Sequence, residues 1–227
     1  MQVVGVGRDG YQTFSARLPH GAEPAVVAHD AHQLIERPLD AYRDADGDLV
    51  LRFLVRSSSG EARPEARTPR RDAGLVLADG EVPVVRQRVA AYGVVVSGRG
   101  LLATQYSSTT AVEGRWGMPG GGIDRGEEPG DTVVREVHEE TSQQVVLEDL
   151  VAVQTSHWIG RSPAGRAEDF HAVRLVYRAS CPVPGDPVVL DVGGTTADAR
   201  WIPLVNWRSV AWTINWRQAL EELLGPS

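Results

Sequence analysis

A run of 24 residues, Gly120–Gln143, reads GGGIDRGEEPGDTVVREVHEETSQ and constrains this chain more than any other stretch. Three glycines lead into a turn, and the turn into a segment crowded with carboxylates. Seven acids (Asp124, Glu127, Glu128, Asp131, Glu136, Glu139, Glu140) face two bases (Arg125, Arg135), so the stretch carries −5 of the chain's formal −7. Like charges a few Å apart repel strongly and resist being folded together. Something cationic must neutralise them, and a divalent metal held by oxygen ligands is the simplest choice.

Pro129 suits the first turn of a helix, where its missing N–H is not needed. A helix from there puts Val133, Val134 and Val137 on one face for packing against a sheet. Glu136, Glu139 and Glu140, at i, i+3 and i+4, share another face. Acids late in a helix oppose the macrodipole, and a local rule broken without visible compensation points to function. A solvated acidic stripe would explain the three glutamates equally well. The glycines tip the balance, because Gly120–Gly122 lets the backbone approach a ligand and offer carbonyls to a metal or N–H groups to phosphate. A magnesium–phosphate site follows.

The remainder of the chain excludes several classes. No run of eighteen apolar residues marks a membrane span, and the N-terminus lacks the basic-then-apolar pattern of a secretory signal. A pI near 5.4 argues against binding a nucleic-acid polymer. The single cysteine, Cys181, agrees with a reducing, cytoplasmic setting. Residues 1–56 read as β-rich, with Tyr11–Leu18 and Leu49–Val55 as strands; Asp44–Asp48 reads as a turn rather than a calcium loop. His29 and His32 could be half of a metal site, but no further His or Cys cluster completes it. Ser57–Asp72 reads as a linker. Asp79-Gly80 predicts a hairpin between 75–78 and 81–85, and Ser97–Gly100 a second hairpin. Val145–Val153 and Phe170–Tyr177 read as strands around a polar loop at 160–169, and a last helix ends at Gly225.

Gly121, Glu127, Arg135, Glu136, Val137, Glu139 and Glu140 match seven of the nine fixed positions of the Nudix box, G-x5-E-x7-R-E-U-x-E-E-x-G-U with U apolar. The departures are Ser142 for glycine and Gln143 for an apolar residue, both at the helix exit. The chain therefore resembles the Nudix hydrolases from about residue 86 to 225, where Trp116–Gly121 and Ala199–Leu204 are also similar to the family. The resemblance implies an α+β fold, an αβα sandwich with a mixed sheet between helices, spanning 86–227; residues 1–85 lie outside it, and their strand pattern reads as a small β-rich domain. It implies hydrolysis of a nucleoside diphosphate linked to another moiety: a (d)NTP, a nucleotide sugar or an ADP-ribose-like compound. Carried over, Glu136, Glu139 and Glu140 with the backbone of Gly121 would bind Mg²⁺ or Mn²⁺, and Arg135 with Glu127 would hold the loop–helix geometry. Glu136 or an outside carboxylate would activate water, and Glu168, Asp169 and Asp198 are the outside candidates. Trp116, Tyr106 and Trp158 offer faces for a base, and Arg161 and Arg166 charges for phosphate. The alternative is a Nudix-like module that senses a nucleotide without turnover. Residues 1–85 would cap the substrate cleft or build a homodimer.

Overall fold

The structure, a computed structural model, describes residues 1–65, 67–162 and 165–225 of the 227. The chain divides into two compact units. One comprises Met1–Ala90, Gly122–Pro129 and Leu150–Val176; the other comprises Ala91–Gly121, Gly130–Asp149 and Tyr177–Ser227.

In the first unit, strands β1 (Gln2–Val6), β2 (Gln12–Arg17), β3 (Gln33–Arg43) and β4 (Leu49–Ser57) form a sheet in the order β2-β1-β4-β3. β1 lies parallel to β4, and the other neighbours are antiparallel. A parallel pair needs a long crossover, which here contains β2, helix α1 (Pro24–Asp30) and β3. Pro24 opens α1 and the helix buries Val26, Val27 and Ala28. The strand expected at Leu49–Val55 is present, with Leu49, Val50, Leu51, Phe53 and Val55 all buried. Asp44–Asp48 is a turn: Asp44 Oδ1 accepts from the N–H groups of Asp46 (3.0 Å) and Asp48 (2.9 Å).

The hairpin expected at Asp79-Gly80 is corrected. The turn exists, but neither 75–78 nor 81–83 is strand. Val76 and Val82 stay 76% and 81% exposed, so the flanks have no face to bury and no ladder forms. Glu81 closes the turn instead, its carboxylate accepting from the Ala78 N–H at 2.9 Å.

The hairpin expected around Ser97–Gly100 does form. β6 (Val84–Ser97) meets β7 (Gly100–Tyr106) across Gly98-Arg99, with Val96 opposite Leu101. β8 (Trp116–Gly117) and β12 (Thr196–Ile202) both pair antiparallel with β7. With β5 (Arg70–Arg71), β9 (Gly120–Gly122), β10 (Val146–Arg161) and β11 (Ala167–Ser180), they make an eight-stranded sheet. Its main path is β12-β7-β6-β11-β10-β5, and the parallel β10–β5 pair makes it mixed. β10 and β11 run further than their apolar stretches suggest, which shortens the expected 160–169 loop.

Tyr92 and Gly93 are successive on β6 and so point to opposite faces. Gly93 leaves room for helix α2 (Pro129–Thr141), whose Val133 and Val137 are fully buried there. Tyr92 meets Trp216 of helix α3 (Ile214–Leu224) edge-on, with ring centroids 5.2 Å apart. Helices cover both faces, which is the expected αβα sandwich. No helix among the described residues is long and apolar enough to cross a membrane.

Candidate active site

Helix α2 divides its residues more sharply than spacing alone predicts. Val133 and Val137 are fully buried, whereas Val134, expected on the same face, is 41% exposed. The three glutamates are graded: the side chains of Glu139 and Glu136 are 45% and 16% exposed, and Glu140 is buried. Arg135 Nη1 donates to both Glu136 Oε1 (3.0 Å) and Glu139 Oε2 (3.1 Å), so one guanidinium offsets part of their repulsion. The carboxylate of Glu127 accepts from the Asp124 N–H at 3.1 Å, closing the turn before the helix.

The glycine loop is shaped around these acids. A Cβ on Gly121 would fall on the Glu136 carboxylate, so only glycine lets that carboxylate lie against the backbone. Gly120 takes a φ of +147°, and its N–H donates to Glu140 Oε2 at 2.9 Å. The Thr196 hydroxyl on β12 donates to Glu140 Oε1. Burial pushes the Glu140 pKa up to about 7, with the charges of Glu136 and Asp191 adding to the rise, while the two hydrogen bonds oppose it. A desolvated carboxyl beside other acids is stabilised in its charged form by a cation. The donors gathered here are oxygens, the set that suits a hard divalent ion. The residues fit such a metal.

Two supporting features have no local sequence signature. Thr196 stands 56 positions from Glu140. Arg43, at the end of β3, holds the segment before α2: its Nε donates to the Glu127 carbonyl (2.7 Å), and its N–H to Glu128 Oε2 (3.1 Å). Thr196 also lines a cavity of about 340 Å³ with Ser107, Thr109, Asp191, Gly193 and Gly194.

The remaining sequence candidates scatter. Trp116 is 9% exposed and lies beneath the Arg200 guanidinium, 5.5 Å from its ring centroid. Trp158 stacks on Phe170 at 4.4 Å, and the Tyr106 hydroxyl accepts from Trp216 Nε1 at 3.3 Å. Arg161 forms a fork on both Glu81 oxygens at 2.8 Å, and Arg166 is exposed. Glu168 pairs with Arg86 (2.9 Å) and Asp198 with Arg200 (2.7 Å). Asp169 accepts from two imidazoles, of His20 and His157.

The helix exit shows why two box positions differ. Ser142 adopts φ +58°, the left-handed conformation usual for glycine. Its Oγ accepts from the Val188 N–H at 3.2 Å. Gln143 is buried like an apolar residue, yet its Oε1 accepts from the Gly185 N–H (2.8 Å) and its Nε2 donates to the Thr141 carbonyl (3.1 Å).

The sequence profile of the NUDIX domain matches residues 86–218, and the chain belongs to the Nudix family. It is thus an enzyme of the Nudix hydrolase class. Similar solved structures include a MutT NUDIX hydrolase from Burkholderia pseudomallei (24% identity, 61% of this chain and 98% of that one, TM-score 0.42). Others are a NUDIX hydrolase from Nitrosomonas europaea (22%, 61% and 89%, 0.47) and the NUDIX domain of Shewanella oneidensis NrtR complexed with ADP ribose (20%, 63% and 88%, 0.42). No curated protein matches the chain.

Proposed function

We propose that the chain is a metal-dependent pyrophosphohydrolase that cleaves a nucleoside diphosphate linked to a further group. The observation that carries this reading is the graded trio Glu136, Glu139 and Glu140 beside a glycine loop with no room for side chains. Mg²⁺ or Mn²⁺ would be held by these carboxylates and the Gly121 backbone, and when bound would screen the pyrophosphate and acidify water. Glu139 has the most solvent-exposed carboxylate of the trio and takes the proton from the attacking water, with Glu136 as its neighbour in the same role. Water adds to one phosphorus, and the bond from that phosphorus to the bridging oxygen breaks. Arg135 and Glu127 keep helix and loop in register. The cavity beside Thr196 lies at the small end of ligand pockets and offers hydroxyls and glycine backbone to part of the substrate.

The test is a panel of (d)NTPs, nucleotide sugars and ADP-ribose-like compounds, with phosphate release followed with and without Mg²⁺ or Mn²⁺. Turnover should require the cation and disappear in Glu139→Gln. Tight nucleotide binding without turnover, in protein shown to hold metal, would favour the sensing role instead.

A further inference from the structure

Within the first unit, three side chains from distant parts of the chain converge. His20 lies on the loop between β2 and α1, His157 on β10 and Asp169 on β11. Asp169 Oδ1 accepts from both His20 Nε2 (2.8 Å) and His157 Nε2 (2.5 Å). One ligand atom from each residue lies within 4.8 Å of the others. The side chains are only 15–25% exposed. Gly21 has a φ of +73°, and a Cβ there would strike the His157 ring, so the loop is shaped to let this imidazole in.

A fourth ring backs the group. His171 is fully buried, edge-on to His20 (5.5 Å) and His157 (6.1 Å), with Nδ1 2.9 Å from the Gln87 amide. One buried ring nitrogen, His20 Nδ1, has no hydrogen-bond partner among the described residues. Such groups are uncommon in protein interiors and call for a physical account.

We propose that His20, His157 and Asp169 form a second metal site, which takes a divalent transition ion of the zinc type and ties the β2–α1 loop to β10 and β11. Two imidazoles and one carboxylate are a ligand set that zinc accepts, with the remaining position left to water. Imidazole nitrogen also selects against Mg²⁺, which prefers oxygen. With the ion bound, each neutral ring would present Nε2 to it as the Nδ1–H tautomer, its single proton moving from Nε2 to Nδ1. The unpaired Nδ1–H of His20 then costs far less than an imidazole–zinc bond supplies.

Full-length protein stripped with chelator should bind one equivalent of Zn²⁺ in addition to any ion on α2. Its Tm should rise by about 5–10 °C at a hundredfold excess over Kd. Co²⁺ in its place should give the strong visible bands of four-coordinate nitrogen–oxygen ligation. Glu136→Gln/Glu139→Gln should retain these bands, and His20→Gln or His157→Gln should lose them. If a histidine variant does not fold, the cobalt spectrum of the wild type still reports nitrogen ligation. Absence of Zn²⁺ binding, or bands that vanish with the glutamates and survive loss of the histidines, would overturn the proposal.

Discussion

Two clusters in this molecule gather ionisable groups, and they are built in opposite ways. On α2, Glu136, Glu139 and Glu140 come from one helical turn, and their closeness follows from spacing alone. In the other unit, His20 stands 149 positions from Asp169, and only folding brings the two together. The first cluster is all oxygen and strongly anionic, with Arg135 as a partner cation. The second mixes one carboxylate with two imidazoles that already donate to it. A local cluster of one charge sign therefore keeps part of its repulsion and calls for a hard cation, whereas an assembled one mixes nitrogen with oxygen and discriminates by ligand type.

The largest expected effect separates the clusters by activity. Glu139→Gln should lower kcat by about 10²–10⁴-fold, the usual range for loss of a proton-transferring group. Zn²⁺ binding at the histidines should be unchanged, measured by metal titration of the same variant. A variant that hydrolyses normally would remove Glu139 from the chemistry.

Next is pH. The pKa of Glu140 is raised in the fold to about 7 from an ordinary 4.5. Its contribution to stability is therefore complete below about pH 4.5 and is lost as pH rises through 7, by about 3 kcal/mol in total. Urea unfolding of metal-free protein should show this decline, and Glu140→Gln should flatten it. Mg²⁺ affinity should strengthen over the same interval, because binding displaces the proton. A flat profile would mean that Glu140 is ionised throughout.

The helix exit gives smaller effects. Gln143→Leu restores the family's apolar residue but strips the Gly185 N–H of its acceptor, and should destabilise by about 1–3 kcal/mol. Ser142→Gly removes left-handed strain of about 1 kcal/mol, loses the Oγ bond to Val188, and should stabilise by about 0.5 kcal/mol. Denaturant midpoints measure both. Opposite signs would confirm that the two departures from the box work by different means.

Much of the fold was legible because its signals are local. Pro129 opens α2, Gly98-Arg99 turns β6 into β7, and the apolar run at Leu49–Val55 is a buried strand. The Asp79-Gly80 hairpin failed for the complementary reason. Its turn chemistry is local, but a ladder also needs flanks with something to bury them. The surroundings of candidates chosen by residue type are just as non-local. Arg161 is engaged by Glu81, and Trp116 is packed beneath Arg200, partners that no spacing rule reveals.

By itself the sequence determined the glycine loop, the helix, and which three glutamates share a face, since chain geometry over a few residues sets all three. Only the tertiary structure decided that these glutamates differ. Glu140 is buried under a Thr196 hydroxyl and a Gly120 N–H, while Glu139 is half-exposed and paired with Arg135. It alone, too, placed Asp169 between two imidazoles. Ionisation and ligand affinity depend on desolvation and on partners tens of residues away, and those are fixed only when distant segments pack.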